Sequence, residues 1–142
     1  MSVRGLMVAF CCTLMATGVG KVNGEEGMRM PRVLKISRLG SPVLAAAAKE
    51  VMDPTAPEVR QIVDDMLATA ADCSSLAGLA APQVSIPYRI VLFMVPREKG
   101  EEIPLTVMIN PRWEPVSNEM EEDWEGCLSI PGLVGLVPRQ HA

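Results

Sequence analysis

The sequence predicts an α+β fold, with small, mostly antiparallel sheets beside one clear helix. Three observations carry that prediction. One stretch repeats apolar side chains at helical spacing, two short β-branched runs follow it, and prolines and glycines break the chain between them. A helix followed by clustered strands is the order of an α+β domain rather than of alternating β-α units. At 142 residues, 49% hydrophobic and 21% charged, the chain has the size and composition of one domain with its own core.

Residues 1–29 are expected to stand apart from the domain, which is expected over 30–142. Met1-Ser2-Val3-Arg4, the apolar stretch from Gly5 to Ala16 and Thr17-Gly18-Val19-Gly20 form the basic, apolar and small-residue zones of an export signal. That stretch is too short to span a bilayer as a helix. The competing reading is a start codon set too far upstream, with Met28 or Met30 as the true beginning.

Gly40-Ser41-Pro42-Val43-Leu44 reads as a turn into a short apolar segment, Pro42 holding Ser41 extended. Asp53-Pro54-Thr55-Ala56-Pro57 is a breaker cluster. Thr55 followed three residues later by Glu58 predicts a capping box. Val59, Ile62, Val63, Met66, Leu67 and Ala70 then recur at the spacing of one helix face. Arg89 to Val95, and Leu105 to Ile109 between Pro104 and Asn110-Pro111, predict buried strands. Glu119 to Glu125, acidic around Trp124, is expected to be a solvated edge.

A formal charge of -4 and a pI near 5.0 speak against a nucleic-acid surface, which needs clustered Lys and Arg. With 4% aromatic residues, base-stacking platforms are not expected either. Cys11, Cys12, Cys73 and Cys127 show no Cys-x-x-Cys spacing, which favours a reducing compartment, hence the cytoplasm; export or an organelle is the alternative if residues 1–20 are a targeting segment.

The chemistry concentrates in two stretches, Gly78-Leu79-Ala80-Ala81-Pro82-Gln83 and Glu125-Gly126-Cys127-Leu128-Ser129-Ile130-Pro131-Gly132. A thiolate is a strong metal ligand, a glutamine amide can donate to a developing oxyanion, and glycines let another backbone come close. Taken singly, Cys127 would be a small buried hydrophobe and Gln83 a polar loop residue.

Taken together and in this order, the two stretches resemble the first two signature motifs of the peptide deformylases, metal-dependent hydrolases that remove the N-formyl group from nascent polypeptides. The first motif departs at its opening glycine, where Leu76 stands, and Ser41 stands where the family has an aspartate; the second is matched in full from Glu125 to Ser129. The similarity runs from about Met30 to Arg139. It implies strands wrapped around a central helix carrying the family's third motif, His-Glu-x-x-His. This sequence holds one histidine, His141, so the metal-binding helix is expected to be missing and the domain C-terminally incomplete.

The resemblance implies that Cys127 is a metal ligand, for Fe2+ or another divalent ion such as Zn2+, Ni2+ or Co2+. It implies the Gln83 side-chain amide and the Leu128 backbone N–H as donors to the oxyanion, and Gly78 and Gly126 as positions whose backbone pairs with substrate. The implied partners are N-formyl-methionyl peptides, including nascent chains at the ribosome, with no direct nucleic-acid binding and no membrane span. Two rival readings stay open. One is an inactive deformylase-like peptide-binding module. The other is a thiol hydrolase using Cys127 with His141 as base, with no third group to orient them.

Overall fold

The computed structural model describes residues 29–74, 76–95, 102–115 and 117–140. A short helix α1 (Pro42–Ala45) precedes the long helix α2 (Pro57–Asp72); then come β1 (Gly78–Ala80), a 3-10 turn (Ala81–Val84), β2 (Ile90–Val95), β3 (Ile103–Ile109), β4 (Met120–Cys127) and β5 (Ile130–Gln140). β1, β2 and β3 form an antiparallel sheet in that order, and β4 pairs with β5 in a separate antiparallel hairpin. The α+β class expected from the sequence is the one observed.

The helical stripe faces the core as its spacing requires. Met66 and Ala70 are buried with Val51, Leu79, Ala81, Val84, Ile90 and Leu92, and Val59, Ile62, Val63 and Leu67 pack partly buried around them. Strand β2 alternates at its start, Ile90 and Leu92 being fully buried on the face toward α2. Each such side chain contributes about 1.5–3 kcal/mol by leaving water.

Two local expectations need correction, and a third gains detail. The Thr55–Glu58 capping box does not form: Ala56 is the N-cap, it has no side-chain oxygen to offer, and Pro57 takes the first helical turn without needing an N–H partner. Thr55 instead gives its N–H and its hydroxyl to Asp53 Oδ1, at 2.8 and 2.6 Å, and these bonds hold the Asp53 carboxyl below the usual carboxylate range. Strand β3 is only half-buried, Val107 and Ile109 packing on the core and Leu105 exposed; it is a sheet edge, where Pro104 is tolerated because no neighbour needs its missing N–H. The acidic stretch is solvated as expected, but it is a strand, β4, paired along its length with β5.

α2 also buries polar groups that lie outside its apolar stripe, and they tie down the extended chain before α1. Thr69 Oγ1 accepts the Leu34 N–H at 2.9 Å and donates to the Asp65 carbonyl at 2.7 Å. The buried Asp65 carboxylate accepts the Arg32 N–H at 2.9 Å and pairs in two-pronged fashion with the Arg29 guanidinium. The Arg29 bond, more than the Arg32 N–H, holds the Asp65 carboxyl below its ordinary range against the opposing effect of burial. Residues 29–39 thus form a strap across the helix. Asn110, in left-handed backbone at φ 55°, closes the far side of the sheet by pairing its amide with both backbone groups of Val51, at 2.9 and 2.8 Å.

Candidate functional site

The two motifs meet where the 3-10 turn after β1 reaches the tip of the β4–β5 hairpin. β1 delivers Gly78 to Ala80, and the 3-10 turn that follows brings Gln83 back under the strand it has just left. Gln83 Oε1 accepts the Ala80 N–H at 2.8 Å, which fixes the amide plane and turns Nε2 outward. Nε2 then lies 3.6 Å from Cys127 Sγ, a contact across 44 residues of sequence.

The hairpin presents Cys127 through a break in its own register. Pairing runs regularly from Met120↔Gln140 to Gly126↔Val134 and then shifts to Cys127↔Ile130. The extra residues sit on the β5 side, where Gly132 adopts φ 76°, a left-handed conformation that glycine takes without strain. A bulge of this kind bends the strand and re-aims the side chain beside it. Cys127 is consequently exposed at the hairpin tip, while Leu128 packs on the core and Ser129 is buried.

The two glycines differ in what they avoid. A Cβ on Gly78 would lie 2.9 Å from the Leu92 carbonyl oxygen, so β1 and β2 could not keep their spacing with any side chain there. A Cβ on Gly126 would make only ordinary contact, 3.6 Å from Val134 Cγ1. Packing therefore demands glycine at 78 and leaves 126 free. Among the described residues β1 and β4 each keep one edge without a strand neighbour, and those edges can accept an added strand.

Beside the thiol, Glu125 takes a two-pronged bond from Arg139, Nε to Oε1 and Nη2 to Oε2, both 2.7 Å. This bond lowers the Glu125 carboxyl below its usual range and raises the arginine. Both side chains are well exposed, so the pair contributes about 0–1 kcal/mol. The Ser129 hydroxyl is buried with no hydrogen-bond partner among the described residues.

The structure thus brings Gln83, Cys127 and Leu128 to one place, with Gly78 and Gly126 on the open edges beside them. As a metal site the described residues are insufficient: they contain no group of three His, Cys, Asp or Glu side chains, and Cys127 supplies a single soft ligand where three or four are usual. His141 lies outside the described residues. Among the described residues no helix is long and apolar enough to cross a membrane. One neighbour of the site gave no signal in the sequence, the strap residues Ser37 to Leu39; a segment bonded through its backbone leaves no periodic pattern.

Comparison with known proteins agrees with this fold. A family profile described as polypeptide deformylase matches residues 33–142. Peptide deformylase 1 of Nitrosomonas europaea is 45% identical over 108 residues, covering 73% of this chain and 61% of that protein. Peptide deformylase 1 of Bordetella pertussis is 44% identical over 108 residues, with the same coverage of 73% and 61%. The chain thus spans about three fifths of the length of these curated relatives. Among solved structures, a class I type b peptide deformylase from Acinetobacter baumannii bound to Met-Ala-Ser matches with a TM-score of 0.69 at 32% identity, covering 78% of this chain and 73% of that one. A peptide deformylase from Ehrlichia chaffeensis in complex with actinonin matches with a TM-score of 0.66 at 32% identity, covering 76% and 63%.

Proposed function

The chain belongs to the polypeptide deformylase family, and from that premise we propose that it serves to hydrolyse the N-formyl group from the N-terminal formyl-methionine of newly made polypeptides. The observation that carries the reading is the 3.6 Å approach of Gln83 Nε2 to Cys127 Sγ, which joins two motifs 44 residues apart at a bulged hairpin tip. The Met-Ala-Ser and actinonin complexes of its structural relatives support a peptide-like substrate.

In this reading the peptide lies as an extra strand along the open edges of β1 and β4, its backbone close to Gly78 and Gly126. Attack on the formyl carbon places negative charge on the formyl oxygen. The Gln83 amide, held by its bond to the Ala80 N–H, and the Leu128 backbone N–H are the donors that meet that charge, and each prealigned donor of this kind accounts for roughly 100- to 1000-fold in rate. The family's divalent metal supplies Lewis-acid activation of water when bound, and Cys127 is its thiolate ligand from this chain; Fe2+, Zn2+, Ni2+ and Co2+ are the candidates. The described residues do not complete that metal's ligand set. We place the activity in the cytoplasm, on chains emerging from the ribosome.

The test is release of formate from formyl-Met-Ala-Ser with ferrous, nickel or cobalt ion, run on the 142-residue chain alone and with a His-Glu-x-x-His helix segment of a related deformylase added in trans. The expected result is no turnover alone, and turnover with the added segment that Cys127→Ala abolishes. Metal-dependent turnover by the chain alone would show that other groups complete the site. Failure of the added segment to confer any turnover, with the segment bound, would favour the peptide-binding module without catalysis.

A further inference from the structure

Among the described residues the two motifs stand beside separate sheets that share no ladder, so something other than strand pairing fixes the distance between Gln83 and Cys127. The amide–thiol contact itself is a poor candidate, because sulfur is a weak acceptor and Cys127 is exposed. One tripeptide reaches both motifs. The Ser37 N–H donates to the Gln83 carbonyl at 2.7 Å, and the Leu39 N–H donates to the Ser129 carbonyl at 2.9 Å. Between them Arg38 Nη1 donates to the Leu128 carbonyl at 3.4 Å. On the first side the contact is doubled: Ser37 Oγ lies 2.7 Å from Oγ of Ser85, the left-handed residue (φ 65°) that ends the 3-10 turn.

We propose that Ser37–Leu39 is a positioning brace that sets the separation of the oxyanion donor Gln83 from the thiol Cys127, an inference that rests on the site assignment above. Two N–H groups two residues apart can lie no more than about 7 Å from each other, so this one tripeptide holds a carbonyl of each motif within a bounded spacing. The brace is referenced to the core, since Leu34 and Arg32 upstream are bonded to Thr69 and Asp65 of α2. Both grips are backbone bonds. The brace therefore tolerates any side chain at position 39 but not the loss of its N–H, which only proline imposes.

The experiment is NMR on the labelled 142-residue chain. Wild type should show a nuclear Overhauser contact between the Gln83 side-chain amide protons and the Cys127 β protons, with the Ser37 and Leu39 amides protected from hydrogen exchange. Leu39→Pro should lose that contact while the methyl signals of Met66, Leu79 and Leu92 keep their positions; Leu39→Ala, which retains the N–H, should keep both. Persistence of the contact in Leu39→Pro would overturn the brace, as would its absence from wild type. If Leu39→Pro fails to fold, the wild-type chain decides: Ser37 and Leu39 amides exchanging as freely as open peptide, with the Gln83–Cys127 contact present, would also overturn it. These signals do not depend on turnover. An intact brace in a protein that neither binds nor hydrolyses formyl peptides would sink the deformylase reading and leave the brace standing.

Discussion

The sheet-and-helix unit and the β4–β5 hairpin are built on opposite principles. The first buries Met66, Leu79, Ile90 and Leu92 completely between α2 and the three-stranded sheet. The hairpin exposes its large side chains: Met120, Trp124, Val134 and Leu136 are 61%, 67%, 68% and 49% accessible. The pairing register puts these four on one face, opposite Glu121, Asp123, Glu125 and Arg139 on the other. A lone two-stranded hairpin is marginal in water, so this one is held by its attachments, the Leu128 contact with the core and the Leu39–Ser129 bond. Stability and the proposed site are thereby divided: the core unit supplies the free energy, and the exposed Cys127 thiol sits on the piece that contributes least of it.

The largest expected contrast is in the core. Leu92→Ala or Met66→Ala should cost about 2–5 kcal/mol in denaturant unfolding, the range for truncating a closely packed side chain. Trp124→Ala or Leu136→Ala removes half of one exposed cross-strand pair and should cost about 0.2–1 kcal/mol. Equal costs in the two regions would break the comparison. The glycines sharpen it: Gly78→Ala drives a Cβ to 2.9 Å from the Leu92 carbonyl and should cost about 1–3 kcal/mol, as overpacking does. Gly126→Ala should fall within about 0.5 kcal/mol of wild type, so any effect on peptide binding there reads the groove rather than the fold.

Thr69→Val keeps the shape of a buried side chain and leaves the Leu34 N–H without its acceptor; a cost of about 1–3 kcal/mol is expected. The strap should also respond to acid. Asp65 titrates below its unfolded value of about 3.9, so its contribution is fully present above that pH and is lost as pH falls through the lower folded value. Asp65→Asn should flatten the acid limb of a stability–pH curve. Glu125→Gln acts on an exposed pair and should barely change that curve.

How much of this was legible follows from the kind of bond each part uses. The stripe from Val59 to Ala70 was readable because burial imposes a period on side chains, and the strand within Arg89 to Val95 because its run is apolar and β-branched. The Gln83 and Cys127 motifs were readable as motifs, and the structure adds that they touch. The Thr55–Glu58 spacing misled because it is blind to Asp53, a better-placed partner two residues before Thr55. Acidic β4 was legible as a solvated edge but not as a strand, because a strand with a solvated face can carry charge. The strap was invisible, since its bonds are backbone N–H groups meeting Asp65, Thr69, Gln83 and Ser129 far away in sequence.

The central claim is that the seam between the two regions is a formyl-peptide groove. The most direct measurement is a titration of the labelled chain with formyl-Met-Ala-Ser, followed by amide shifts. The account predicts a footprint that straddles both regions, at Gly78 to Gln83 on one side and Gly126 to Leu128 on the other, weakened by Gln83→Leu and absent from β3. Shifts confined to one region, or spread over the exposed Trp124 face with the seam unmoved, would contradict it.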